Sequence, residues 1–136
     1  MADVVLRSLD HVGVMVDDIN PAVEWYRDVL GFAVRDQWAN DDAGMKWAHV
    51  ALGDFTIEFV ERPGLERRSP ATVGYHHIAF TTDDCVATTD SLVASGGSVI
   101  FAPSFFDRHD MDWSFVADPF GNVLEIISYR NPPVSN

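Results

Sequence analysis

Four residues with metal-binding side chains recur at matching places in the sequence. His11 and His77 each begin an apolar segment, and Glu58 and Glu125 each lie inside a later apolar segment. Two imidazoles and two carboxylates suit a divalent ion such as Zn, Ni, Co, Mn or Fe(II). A single histidine in a strand is more often structural or solvated, so the prediction of a metal site depends on the four residues occurring as a set.

The four residues fall on an internal repeat. The segment HVGVMVDD at 11–18 matches HIAFTTDD at 77–84, at an offset of 66 residues. An offset of 67 residues carries Glu58, in DFTIEFV, onto Glu125, in GNVLEII. A long period that occurs only twice indicates a duplicated supersecondary unit rather than a solenoid.

Each copy of the repeat must contain the secondary-structure elements that position these residues. In each copy we predict a strand, then a helix, then three further strands. In the first copy, Asn20 as N-cap and Gly31 after the last turn bound the helix. The predicted strands are 9–16, 32–38, 45–52 and 55–62 in the first copy, and 75–81, 98–102, 113–117 and 122–129 in the second, whose helix is 84–95.

The segment 62–73 contains Pro, Gly and several charges, which is typical of a loop. We expect it to link two halves of one domain, because each half alone would leave one sheet face open. The sequence therefore predicts an α+β fold, with a single domain over 1–136 made of two βαβββ units at about 8–62 and 74–129.

Alternation along the strands explains how the two glutamates could reach a common site. Glu58 lies between the apolar residues Ile57 and Phe59, and Glu125 is flanked in the same way. Because residues two apart share a strand face, each carboxylate is expected opposite its apolar neighbours. Either both carboxylates face solvent, as is common in antiparallel sheets, or a pseudo-twofold relation directs them into one cavity with the two histidines. Four ligands in an octahedral shell leave two positions for a substrate with neighbouring oxygens.

Charge and composition restrict the partners. The 136 residues contain 21 acidic and 9 basic side chains, a net charge of −12, which argues against nucleic acid as a partner. One cysteine cannot form an internal disulfide, no signal peptide is evident, and no apolar stretch approaches a membrane span. We expect a soluble cytoplasmic protein that acts on a small molecule.

Three other sets of residues have side chains that could take part in binding or catalysis. His76 is adjacent to His77, so only one of them can face the cavity, and the repeat favours His77. Cys85, near a helix start, has two readings: a thiol of lowered pKa, or a small buried helix residue, which we favour. Aromatic residues share strand faces or follow each other in a predicted loop, and we expect most of them to be ordinary core: Trp47 with His49, Trp113 with Phe115, and Phe105 with Phe106.

The sequence also resembles a known family. LDHVGVMVDDINPAVEWYRDVLGF resembles the opening strand and helix of the vicinal-oxygen-chelate superfamily, which includes glyoxalases, bleomycin resistance proteins and extradiol dioxygenases. GDFTIEFVE, YHHIAFTTDD and DPFGNVLEII resemble its later segments, so the resemblance covers roughly 8–129. It implies paired βαβββ modules that form a half-open cup around a metal. The metal positions of glyoxalase I and methylmalonyl-CoA epimerase correspond to His11, Glu58, His77 and Glu125, and many relatives are homodimers.

The ligand set implied by the resemblance favours one class of chemistry. Glyoxalase- and epimerase-type relatives are lyases or isomerases that remove a proton next to a carbonyl through a metal-stabilised enediolate, with Glu58 or Glu125 as the base. An Fe(II) extradiol-type dioxygenase would need only His11, His77 and Glu125. A drug-binding or resistance protein on the same fold is the other alternative.

The substrate is less well defined by the resemblance. Glyoxalase I relatives usually have an arginine four residues after the first ligand and an asparagine four residues after the second. These positions are Met15 and Arg62 here. Because glutathione carries two carboxylates, the missing arginine puts glutathione in doubt as the substrate.

Overall fold

A computed structural model describes residues 4–67, 69 and 71–131. The chain divides into two compact units, one ending at Arg67 and the other beginning at the next residue. The division falls inside the predicted linker 62–73, of which residues 68 and 70 lie outside the described residues. The described remainder of this linker contains no helix or strand. A single domain made of both units remains a prediction.

The described residues of the N-terminal unit form one helix and one four-stranded sheet. Its elements are β1 Val12–Met15, α1 Ile19–Asp28, β2 Ala33–Asn40, β3 Met45–Leu52 and β4 Phe55–Glu61. The strand order is β1-β4-β3-β2, with β1 parallel to β4 and the other neighbours antiparallel. The last strand therefore lies at the centre of the sheet, next to the first.

The C-terminal unit repeats this arrangement. Its elements are β5 His77–Thr81, α2 Cys85–Ala94, β6 Ser98–Phe106, β7 Met111–Ala117 and β8 Val123–Tyr129, with a 3-10 turn at Asp107–His109. The strand order is β5-β8-β7-β6, and β5 is parallel to β8. Two helices and two mixed sheets in this duplicated order confirm the predicted α+β class. Among the described residues, no helix is long and apolar enough to span a bilayer.

In the N-terminal unit, one face of the sheet packs against the helix. Tyr26 of α1 lies edge-on against Phe59 of β4, with ring centroids 4.9 Å apart, and both side chains are buried. Ile57, two residues before Phe59, is also fully buried. Burying a side chain of this size stabilises a fold by about 1.5–3 kcal/mol. Glu58, between these two residues, therefore lies on the opposite face, as the alternation predicted.

The prediction of Asn20 as the N-cap of α1 is wrong. Asp18 caps the helix, and its side chain accepts a hydrogen bond from the backbone N–H of Asn20. Asp84 caps α2 in the same way by accepting from Ala87 N–H. The second aspartate of each repeated Asp-Asp pair is thus a cap, since a carboxylate satisfies the free N–H groups of a first turn. Gly31 follows α1 with φ of +79°, in keeping with its predicted role.

The prediction of a loop at Phe105 and Phe106 is also wrong, because β6 continues through both residues. The apparent strand breaker Pro103 is tolerated here because β6 is the edge strand of its sheet. Its pairing with β7 shifts register twice, between Val99 and Ser104. Such irregularities let an edge strand pass a residue that cannot donate to the ladder.

Candidate metal centre

Three side chains of the N-terminal unit converge on the sheet face opposite α1. Glu58 of β4 pairs directly with His49 of β3 on one side and with Gly13 of β1 on the other. His11 precedes Gly13 by two residues and therefore points to the same face. The central position of β4 places the carboxylate between the two histidines.

The distances within this group are short. Glu58 Oε2 lies 2.7 Å from His49 Nε2 and 3.7 Å from His11 Nε2. Because an ionised carboxylate can only accept, His49 Nε2–H donates this hydrogen bond. His11 Nδ1 is 2.7 Å from Asp10 Oδ2, which fixes the other side of that ring. The two imidazoles have centroids 5.5 Å apart.

The C-terminal unit brings the second predicted pair together. His77 Nε2 lies 2.9 Å from Glu125 Oε2, and Glu125 pairs across the sheet with Ala79 of β5. His76 Nδ1 is 2.9 Å from His77 Nδ1, so one of these nitrogens donates to the other. The repeat had favoured His77 over its neighbour, and His77 is the one in contact with the carboxylate.

The carboxylates are partly buried and accessible. The side chain of Glu58 is 21% exposed and that of Glu125 is 15% exposed, whereas His11 and His77 are each 33% exposed. Carboxylates in this setting need a cationic or hydrogen-bonding partner. In both units an imidazole takes that place. The joint site of four ligands spans both units and stays a prediction.

The donor chemistry fits a divalent ion. His11, His49 and Glu58 can each offer one ligand atom, and these atoms all lie within 4.8 Å of one another. Two nitrogens and one carboxylate oxygen are ligands that Zn, Ni, Co and Fe(II) accept. The predicted pair His77 and Glu125 offers the same two kinds of atom at 2.9 Å.

His49 is a candidate site residue that was not predicted from the sequence, where it was grouped only with the aromatic Trp47. A signal was present in the turn between β3 and β4. Gly53, with φ of +58°, and Asp54 form a two-residue connection between the paired ends of these strands. Counting outward from this turn places His49 opposite Glu58.

Aromatic side chains accompany the histidines in the N-terminal unit. Trp38 and Trp47 stack with centroids 5.8 Å apart and an angle of 8° between their planes. The Trp38 ring also meets His49 edge-on at 5.0 Å. Trp38 is exposed and Trp47 is half-buried, so Trp47 does not belong to the ordinary core that was expected for most of the aromatic residues.

The C-terminal unit has a similar aromatic group. Phe101 stacks on Trp113 at 5.2 Å, and Trp113 meets Phe115 edge-on at 5.4 Å. Phe115 in turn lies 5.0 Å from the ring of His77. Each unit therefore presents a stacked aromatic pair beside its imidazole, which gives the site face an apolar character.

Cys85 is buried, as the favoured interpretation predicted. Its backbone N–H donates to Ser128 Oγ at 3.1 Å, and its Sγ lies 3.4 Å from the carbonyl oxygen of Ile126. Burial raises the pKa of the Cys85 thiol above its ordinary value. Both the burial and the raised pKa argue against the alternative of a thiol of lowered pKa.

Several proteins of known sequence are similar to this chain. A 124-residue match, 29% identical, relates the chain to a probable lactoylglutathione lyase of Vibrio cholerae and covers 88% of this chain and 89% of that protein. An ethylmalonyl-CoA/methylmalonyl-CoA epimerase of Cereibacter sphaeroides is 29% identical over 102 residues, 70% of this chain and 75% of that protein. The protein YwbC of Bacillus subtilis is 33% identical over 84 residues, which are 60% of this chain and 65% of YwbC.

The fold and the family follow from two further similarities. The crystal structure of SMU.1112c superimposes with a TM-score of 0.77 at 26% identity, and the match covers 90% of this chain and 99% of that one. Residues 8–126 match the model of one protein family. The chain therefore belongs to the glyoxalase/bleomycin resistance protein/dioxygenase superfamily.

Proposed function

We propose that the chain is a divalent-metal-dependent lyase, isomerase or epimerase that moves a proton next to a carbonyl group. The proposed metal ligands are His11, Glu58, His77 and Glu125. One observation carries this proposal: each unit sets an imidazole against a carboxylate at equivalent strands, with N–O distances of 3.7 Å and 2.9 Å. The similarity to a probable lactoylglutathione lyase and to an epimerase supports it.

The roles of the residues follow from their chemistry. A bound divalent ion supplies Lewis-acid stabilisation of negative charge on a substrate oxygen. Glu58 or Glu125 accepts the proton at a carboxylate oxygen and returns it to a substrate carbon next to the carbonyl. General base catalysis requires that this carboxylate lie within hydrogen-bond reach of the proton. In this structure, which holds no ion, a hydrogen bond from His49 holds one oxygen of Glu58 in place. The stacked pair Trp38 and Trp47 covers apolar parts of a substrate beside this carboxylate.

The substrate proposed is a 2-oxo compound or a thioester on a carrier other than glutathione. Met15 pairs with Val60 in the β1–β4 ladder and lies on the face of Glu58. Met15 is 52% exposed, so this position presents an uncharged thioether. This side chain cannot form an ion pair with a carboxylate of glutathione. The arginine that the family resemblance implies at this position could form one.

Deuterium exchange tests the proposed reaction across several substrate classes. The purified chain, loaded in turn with Zn, Ni, Co and Mn, is incubated in D2O with hemithioacetals of several thiols and with branched acyl-CoA thioesters. We expect product formation, or deuterium at the carbon next to the carbonyl, for at least one substrate class, and its loss on chelation. Absence of both with every metal and every class would refute the proposal.

An Fe(II) extradiol-type dioxygenase is a second candidate. The family resemblance gives it the ligands His11, His77 and Glu125, and the N-terminal unit offers an alternative set. His11, His49 and Glu58 form a set of two histidines and one carboxylate, which is the ligand type of non-haem Fe(II) oxygenases. In this case the iron-loaded chain consumes oxygen with catechols and loses activity when the iron is oxidised. An oxygen electrode that records no uptake across a catechol panel rejects this candidate.

A small-molecule binding protein of the drug-resistance type is the remaining alternative. The stacked pairs Trp38 with Trp47 and Phe101 with Trp113 are suited to a planar aromatic ligand. Tight binding of such a ligand that survives chelator treatment, without turnover, would favour this function over the enzyme.

The proposed site requires both halves of the chain, from one copy or from two copies of a homodimer. Mixing two inactive variants distinguishes these cases, one carrying His11→Ala and the other His77→Ala. If the site forms between subunits, hybrid dimers contain one intact site and activity returns on mixing. If it forms within one chain, the mixture stays inactive.

A further inference from the structure

We propose that His49 is a third metal ligand of the N-terminal unit, which then offers His11, His49 and Glu58 to the ion, while the C-terminal unit offers two ligands. This inference rests on the proposed metal-dependent function and adds a residue to its site. In this role His49 binds the ion, in addition to its contacts with aromatic side chains.

The position of His49 in the sheet supports this role. Three adjacent strands, β1, β4 and β3, carry the three side chains on one face, with Glu58 in the middle. Ligands at about 2.1 Å from an ion, at right angles, lie roughly 3 Å apart. The 2.7 Å between His49 Nε2 and Glu58 Oε2 is close to that separation. All three donor atoms lie within 4.8 Å of one another, so one ion can reach them with small side-chain movements.

The N-terminal unit also has space beside these donors. Gly13 pairs with Glu58 on the side of β1, and a Cβ placed at Gly13 would meet no atom within 4 Å. The equivalent residue in the C-terminal unit is Ala79, which pairs with Glu125. The surface between His11 and Glu58 is therefore open to an ion.

The repeat shows that this third ligand belongs to one half of the chain. Phe115 pairs with Glu125 across β7 and β8, as His49 pairs with Glu58 across β3 and β4. The offset of 66 residues relates these two positions, just as it relates His11 to His77. A benzene ring cannot ligate a metal, so the two units contribute unequally.

A hydrogen bond alone would make His49 a positioning residue for Glu58, and the two roles differ in what the imidazole binds. In the ligand role, Nε2 gives up its proton and binds the ion, and Nδ1 carries the single proton of the neutral ring. In the positioning role, Nε2 keeps its proton and no metal–nitrogen bond forms. Loss of an orienting partner also lowers metal affinity, by about 10–100-fold. Affinity alone therefore cannot separate the two roles.

X-ray absorption spectroscopy on the zinc-loaded full chain separates them, because it counts the imidazoles around the ion. We expect the count to fall by one from wild type to His49→Phe, which gives the N-terminal unit the side chain found at 115. The control His109→Phe removes a histidine that contacts Phe106 in the other unit, and it should leave the count unchanged. An unchanged count in folded His49→Phe overturns the inference and leaves the proposed function standing. A wild type that binds no zinc refutes both.

A second measurement needs no substitution at His49. In 15N-labelled wild type, zinc binding should move the His49 Nε2 resonance to the range of metal-bound imidazole nitrogen, together with those of His11 and His77. A His49 Nε2 that keeps its proton in the zinc-loaded chain contradicts the ligand role. The variant His77→Ala with Glu125→Gln should still bind zinc in a titration, more weakly than wild type. Adding His49→Phe should remove that residual binding.

Discussion

His49 and Phe115 occupy equivalent positions in the two sheets, each directly across a strand pair from a glutamate. His49 donates a hydrogen bond to Glu58, whereas Phe115 packs against the ring of His77 at 5.0 Å. The two halves thus share a histidine–glutamate pair but support it by different means. At this cross-strand position, the N-terminal pair has a polar contact and the C-terminal pair has aromatic packing.

This difference predicts the effect of removing the aromatic support. Phe115→Ala should leave the fold intact and lower metal affinity roughly tenfold, because groups that orient a ligand typically affect affinity by 10–100-fold. Competition titration against a chelating dye measures the change. Phe105→Ala removes an exposed ring from the same sheet and serves as the control, with affinity expected near wild type. Equal losses in both variants would show a general effect of lost aromatic surface.

The two glutamates can be assigned their roles by separating binding from turnover. A glutamate that acts as the base should, when changed to glutamine, lower kcat by about 10²–10⁴-fold while part of the metal is retained. A glutamate that acts only as a ligand should lose activity in proportion to the lost ion. We expect Glu58→Gln and Glu125→Gln to differ in this respect, as measured by kcat per bound ion. Full activity per bound ion in both variants would exclude either glutamate as the base.

The caps of the helices predict a stability change away from the site. Asp84→Ala should lower the free energy of unfolding by about 1 kcal/mol, because the N–H of Ala87 loses its acceptor. Asp83→Ala removes an exposed carboxylate next to it and should change stability by less than about 0.5 kcal/mol. Urea unfolding followed by circular dichroism measures both. Equal effects of the two substitutions would contradict the assignment of Asp84 as the cap.

Buried Cys85 predicts a dependence of stability on alkaline pH. Burial raises the pKa of its thiol, so the folded chain keeps a proton that the unfolded chain has already released. The thiol's contribution to stability is fully present below the ordinary thiol pKa, about 8.5, and is lost as the pH rises through the raised folded value. Urea unfolding at several pH values should show a steeper alkaline decline in wild type than in Cys85→Ala. Parallel declines would indicate that this thiol is not the cause.

Much of the fold followed from local patterns. The alternation around Glu58 and Glu125 predicted which face each carboxylate takes, because a strand with one buried face has a period of two. The repeat predicted the order of the elements in both units. The cap at Asp18 was missed because Asn20 and Pro21 also suit a helix start, and only the backbone conformation distinguishes them.

The parts that could not be predicted depend on pairing between strands. Phe105 and Phe106 belong to a strand because an edge position accommodates Pro103, and edge positions follow from the sheet order rather than from local sequence. His49 became a site residue through its register with Glu58. The joint site of His11, Glu58, His77 and Glu125 depends on contacts between distant parts of the chain and remains a prediction.

Metal content measures whether the chain binds a divalent ion through the proposed ligands. Wild type, Glu58→Gln, His77→Ala and the control His109→Phe are purified without chelator, offered each divalent metal in turn, dialysed, and measured by inductively coupled plasma mass spectrometry. We predict near-stoichiometric metal in wild type and in the control, and less retained metal in Glu58→Gln and His77→Ala. A wild type that retains none of the metals offered, or equal retention in all four proteins, would show that the proposed metal site does not exist.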